Sequence, residues 1–205
     1  LSGGLEGLAQ QFGQQNDTLL TDVILQQAVW IFPSLLGVGL LTRRTWSASL
    51  ERLGLRIPTR DDIFIGVGAA IAMLIFVFAL GFIWSLVTDP ETLAQQTAAS
   101  AELSSAINTL PLAFVISLAV AVGEEIYFRG AMQPIFGIGL TSIFFTLLHT
   151  QYALTPASLA ILVLSIVLGW VRQRYSTTAS IITHLVYNFA QLALAILATN
   201  IVGGV

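Results

Sequence analysis

The stretch AVAVGEEIYFRGAMQPIFG, residues 119–137, decides how this chain is read. Glu124 and Glu125 interrupt an apolar run, and Arg129 follows four residues after the second acid, in a chain of which only 9% is charged. Of its 205 residues 56% are hydrophobic, and mean hydropathy is +0.85. That is more apolar surface than one soluble core of this size can hide, so the medium is a membrane. A spanning helix needs about 20 mainly apolar residues, and stretches of that length recur on both sides of 119–137. A charge at mid-bilayer costs about 2.5–3.5 kcal/mol on insertion scales, so three charges in such a stretch call for a function.

Outward from there, apolar segments cover about 23–41, 63–87, 109 to 134–139, 140–152, 156–171 and 178–202. The fold expected is all-α: a polytopic transmembrane helix bundle of about six main spans plus one or two amphipathic surface helices. Leu1, Leu5, Leu8 and Phe12 recur at helical spacing in residues 1–22, which read as an amphipathic N-terminal segment; 23–205 reads as a single transmembrane domain. In the first span Pro33 predicts a kink and Gln26 and Gln27 are polar breaks. GVGAAIA, 66–72, offers a small-residue face for close helix packing. Trp46, Trp84 and Trp170 fall near span ends as interfacial aromatics do, whereas Trp30 does not.

All eight basic residues are Arg. Five of them (Arg43, Arg44, Arg52, Arg56 and Arg60) lie in the polar segment 42–62, and Arg172 and Arg174 lie between the last two spans. Alternation puts these on one face and the acidic, Arg-free loop 88–108 on the other. By the positive-inside rule the Arg-rich loop 43–60 is expected to be cytoplasmic and both termini opposite, in an integral protein of the plasma (inner) membrane. The arginines are a topology signal in contact with lipid headgroups. They form no basic block of the kind that binds nucleic acid. Without cysteine, thiol nucleophiles, disulfides and thiolate metal sites are excluded.

His149 and His184 are the only histidines, and both fall inside spans. At about 1.5 Å per residue, Glu124, His149 and Asn188 lie about 15 Å from the Arg-bearing face and His184 about 9 Å. Three helices thus bring polar groups to similar depth. Glu125 and Arg129 stand at i and i+4, the favourable order for an acid and a base, so Arg129 neutralises Glu125. Glu124 points about 100° away and stays free to exchange a proton with water. His184 and Asn188, again i and i+4, can aim two donors at one developing oxyanion.

Three motifs, EEIYFR at 124–129, FTLLH at 145–149 and HLVYN at 184–188, occur in that order, and ERLGLRIP at 51–58 precedes the second span. Over roughly residues 50–200 the chain resembles the CAAX protease and bacteriocin-processing (CPBP, or Abi) family of intramembrane glutamic endopeptidases. The resemblance implies that Glu124 activates a water for attack on a scissile carbonyl, His149 orients that water, and His184 with Asn188 stabilises the tetrahedral intermediate. Glu125 and Arg129 would hold the first glutamate. It implies no cofactor and no metal. The partners it implies are membrane lipids, a membrane-associated peptide or protein substrate, and in some members a larger membrane complex. Eukaryotic members cut prenylated CAAX tails, and prokaryotic ones are linked to bacteriocin maturation and self-immunity.

Plainer readings stand beside this one. Glu124 and Glu125 suit a helix end dipping into the interface, and His149, His184 and Asn188 suit hydrogen bonds between helices. Phe145 reads as packing against His149. Glu124, Glu125, His149 and His184 would also suit zinc or iron. A proton-relay transporter would show inverted repeats, and no repeat is found. A non-proteolytic membrane subunit or scaffold keeping the same fold remains open.

Overall fold

The computed structural model describes residues 16–149 and 156–203; most of the expected amphipathic segment, 1–15, lies outside the described residues. In chain order the elements are α1 (Asn16–Gly37), α2 (Trp46–Arg52), α3 (Arg60–Val87), α4 (Pro90–Ser105), α5 (Leu110–Glu124), a π segment (Glu125–Met132), α6 (Gln133–Leu148), α7 (Pro156–Arg174) and α8 (Thr177–Gly203). Among the described residues five helical runs are long and apolar enough to cross a membrane: Leu19–Gly37, Arg60–Val87, Leu110–Leu148, Pro156–Arg174 and Thr177–Ala198. The protein is an integral membrane protein with an all-α, polytopic bundle, as expected.

The run Leu110–Leu148 holds what the sequence divides into a third and a fourth span. Gly137 interrupts it with φ 73° and ψ 174°, a conformation open essentially to glycine alone. The rings of Phe128 and Phe145 lie 5.0 Å apart, although 17 residues of straight helix would separate them by about 25 Å. The chain therefore reverses at Gly137. The returning arm rises only about 16 Å before α6 ends, half the hydrocarbon thickness. The expected six spans are thus five long helices and one short arm packed back on the π segment.

A second departure is α4, which occupies most of the stretch expected as an acidic loop. It has little apolar periodicity, but Pro90 opens it and the Asp89 carboxylate accepts from Thr92 N–H at 2.8 Å, an N-terminal cap. Trp84 Nε1 donates to Gln96 Oε1 at 3.0 Å, fastening α4 to the end of α3.

Packing follows the small residues. A Cβ on Gly66 would lie 2.7 Å from Ile182 Cγ2, so α3 and α8 touch where GVGAAIA predicts a close face. Ala70, Met73, Leu164, Leu168 and Tyr187 close a core between α3, α7 and α8. Helix α1 runs beside α5 in the same direction, with Leu19 beside Ile116 and Trp30 stacked 4.6 Å from Tyr127. The tryptophan that does not fit an interfacial role is therefore half-buried against Tyr127 and Phe128 of the π segment.

The arginine-bearing end is tied by a polar seam. Asp62, fully buried, accepts from Arg56 Nε and Nη2 at 3.1 and 2.8 Å, Thr59 N and Oγ1 at 2.9 and 2.8 Å, and Ser176 Oγ at 2.8 Å. Thr177 Oγ1 donates to the Leu53 carbonyl at 2.6 Å and Thr178 Oγ1 to the Arg56 carbonyl at 2.9 Å. The segment before α3 is thereby fixed to the turn between α7 and α8.

Candidate active site

Glu124 ends α5 and Glu125 begins the π segment. Turns of this wider kind are rare and often mark functional sites. Proline explains part of the local structure. Pro134 has no N–H to offer the Arg129 carbonyl at i+5 or the Gly130 carbonyl at i+4. Arginines stand in: Arg172 Nε donates to the Arg129 carbonyl at 3.0 Å and Arg52 Nη1 to that of Gly130 at 3.5 Å. Two elements, α2 and α7, thus hold the widened turn in place.

Glu125 is fully buried and engaged on both oxygens. Its Oε1 accepts from His184 Nδ1 at 2.9 Å, and its Oε2 lies 3.3 Å from Arg129 Nε, an ionic contact whose geometry falls short of a directed hydrogen bond. Arg129, also fully buried, donates from Nη2 to Ser165 Oγ at 3.0 Å and to the Ser165 carbonyl at 3.3 Å. Its guanidinium carbon sits 4.5 Å over the Phe145 ring, a cation–π contact. A buried ion pair persists only where further contacts support it. Ser165 and Phe145 support this one, while Arg129 Nη1 has no hydrogen-bond partner among the described residues.

Phe145 is the hub of the cluster. Its ring is 4.6 Å from that of His149 and 6.2 Å from that of His184, so the packing role expected for it holds and extends to Arg129. His149 Nδ1 donates to the Phe145 carbonyl at 2.8 Å, which leaves Nε2 as the nitrogen open to a ligand. The same logic applies to His184. Its Nδ1 proton is committed to Glu125, and Nε2 is left.

Glu124 differs from its neighbour. Its Oε2 is buried with no hydrogen-bond partner among the described residues, yet His184, His149, Glu125 and Arg129 all lie within electrostatic reach of it. The structure therefore brings together five of the six expected residues: Glu124, Glu125, Arg129, His149 and His184. Asn188 stands one helical turn after His184 on α8, half-buried, with no hydrogen bond to the other five among the described residues. No three or more His, Asp and Glu side chains among the described residues are grouped to hold a metal ion.

Spacing along one helix revealed the Glu125–Arg129 pair but not the bond from His184, 59 residues away. Ser165 gave no signal, since one hydroxyl in an apolar span is unremarkable. Arg172 was legible only as a topology marker.

Residues 106–190, which contain all six expected site residues, match the family described as Rce1-like, Type II CAAX prenyl endopeptidase Rce1-like. The resemblance carried by the three motifs is borne out over that segment, and the family is one of CAAX-type membrane proteases. No curated protein and no solved structure matches the chain.

Proposed function

We propose, from the match to the Rce1-like CAAX prenyl endopeptidases, that this chain is an intramembrane endopeptidase of the glutamic type. Its substrate is a membrane-associated protein or peptide of the CAAX or bacteriocin-processing kind. The observation that supports it most is the contrast between two adjacent acids: Glu125 is engaged by Arg129 and His184, while a buried Glu124 oxygen has no hydrogen-bond partner among the described residues. In this mechanism Glu124 takes a proton from a water, and the resulting hydroxide attacks the scissile carbonyl. His149 orients the water through Nε2. His184, through Nε2 when its ring carries both protons, and the Asn188 carboxamide donate to the oxyanion. As the C–N bond breaks, Glu124 returns the proton to the leaving amine, so water and peptide bond become a carboxylic acid and an amine, which exchange a proton to carboxylate and ammonium without further reactants.

General acid–base action of this sort contributes about 10²–10⁴-fold, and one oxyanion donor about 10²–10³-fold. Glu124→Gln should therefore abolish cleavage while the protein inserts and folds, and His184→Ala should do the same. The measurement is twofold: cleavage of a farnesylated CAAX-tail peptide by purified protein, and peptide profiles of membranes carrying wild type or Glu124→Gln. Unchanged cleavage by Glu124→Gln overturns the mechanism. Hydrolysis is proposed to be metal-independent, so activity should survive a chelator.

A second proposal draws on the same contacts. Glu125, Arg129, His184 and Ser165 join the π segment, α7 and α8, which also suits a non-proteolytic subunit or scaffold in a larger membrane complex. It predicts a stable co-purifying partner and no effect of Glu124→Gln. The orientation proposed places the arginine-bearing end in the cytoplasm and both termini opposite, in the plasma (inner) membrane, with lipids around the exposed apolar helix faces.

A further inference from the structure

Gln27 lies in α1, outside the segment that matches the protease family, yet it is buried to 4% exposure and its Oε1 has no hydrogen-bond partner among the described residues. An amide oxygen left unpaired inside a membrane protein costs free energy, so its presence needs a reason. Its seat is specific. A Cβ on Gly123 would lie 2.8 Å from Gln27 Cβ and 3.0 Å from Gln27 Cδ, and closer still to Oε1. Only glycine at 123 admits this side chain, and 123 is the residue before Glu124. One turn along α1, Trp30 stacks on Tyr127, so the parallel register of α1 against α5 delivers the carboxamide to the level of the free acid.

Gln27 Oε1, packed on Gly123, and Glu124 Oε2, on the next residue of α5, are thus both buried without a partner among the described residues, and the two side chains are complementary. A carboxylate only accepts, whereas a carboxamide carries two N–H donors. A half turn of the amide exchanges its oxygen and nitrogen at constant shape. We propose, resting on the proteolytic reading above, that Gln27 is a positioning residue of the site: its N–H groups hold the Glu124 carboxylate, directly or through one water, in the orientation that meets the attacking water.

The test uses the full-length chain in detergent, a farnesylated CAAX-tail peptide as probe, and Gln27→Met beside Glu124→Gln and wild type. Methionine fills a similar volume and presents no unpaired donor or acceptor. The expected result is a kcat lowered at least tenfold with KM within twofold, while the thermal midpoint is unchanged or higher, because an unpaired polar group has been removed from the interior. A residue that only packs would leave kcat at the wild-type value, and that result overturns the proposal. Gln27→Leu serves if Gln27→Met does not fold; failure of both marks Gln27 as structural and equally overturns it. An inert wild type overturns CAAX-type cleavage itself, and an active Glu124→Gln overturns Glu124 as the base. An inert Glu124→Gln with an unaltered Gln27→Met overturns only the role of Gln27.

Discussion

Glu124 and Glu125 are neighbours of one residue type, and what separates them is the set of atoms each meets. Glu125 lies between an imidazole and a guanidinium with no exposure to solvent, and removing it would leave the imidazole N–H without its acceptor and the buried guanidinium without a counter-charge. Breaking a buried pair from one side costs about 3–5 kcal/mol, so Glu125→Ala or Arg129→Ala should lower unfolding free energy by that order, read by denaturant titration in micelles. Replacing both, as Glu125→Leu with Arg129→Met, should cost far less than the sum, because no charge is left unpaired. Glu124→Gln should leave stability near wild type, since the free oxygen makes no bond to lose. The i to i+4 pairing was legible from spacing alone, because a helix surface is a local lattice. The imidazole that completes it arrives from another helix, and no local rule places it.

At the scale of the element, the returning arm depends on one backbone conformation. Nothing lies within 4 Å of a Cβ built on Gly137, so Gly137→Ala tests the backbone without steric interference. The strain of such a conformation is about 1–3 kcal/mol; Gly137→Ala should destabilise by that amount and loosen the approach of Phe145 to Phe128, measured as a lower thermal midpoint and a loss of cleavage. The proline three residues earlier has a different cost, the loss of one backbone N–H donor to the turn before it. Arg172→Gln should remove about 1.5 kcal/mol by freeing the Arg129 carbonyl, with the π segment exchanging amide hydrogen faster than in wild type. The break near 134–139 was visible from Pro134 and Gly137, but its consequence, a reversal into a half-length arm and not a full span, was not. Helix α4 was hidden for the opposite reason: its residues suit a helix, but an apolar stripe, the usual sign of one, is missing.

Across the whole molecule, the arginines and the acidic α4 sit at opposite ends of α3, whose 28 residues rise about 42 Å. The chain has no cysteine, so one introduced thiol reports a single site. Ser47 and Glu91 are both exposed. In intact cells a maleimide that cannot cross the membrane should label Glu91→Cys, and should label Ser47→Cys only after permeabilisation. Labelling of both from one side would overturn the proposed orientation. The seam around Asp62 gives the arginine-bearing end its rigidity: Asp62→Ala would strip an acceptor from Arg56, Thr59 and Ser176, and should expose residues 53–60 to protease while the helices stay inserted.

What the sequence determined by itself is the medium, the helical class, and the choice of residues. Hydropathy is summed along the chain and helix spacing is local, so spans, the engaged acid and the free acid can be derived without coordinates. What only the tertiary structure decided is which groups meet. The closure of His184 on Glu125, of Phe145 on Arg129 and of Gln27 on Gly123 depends on contacts between segments far apart in sequence. A linear pattern marks the small residues and the break at Gly137, but not the partner each small face meets, the direction of the reversal or the register of neighbouring helices, and these set the contacts.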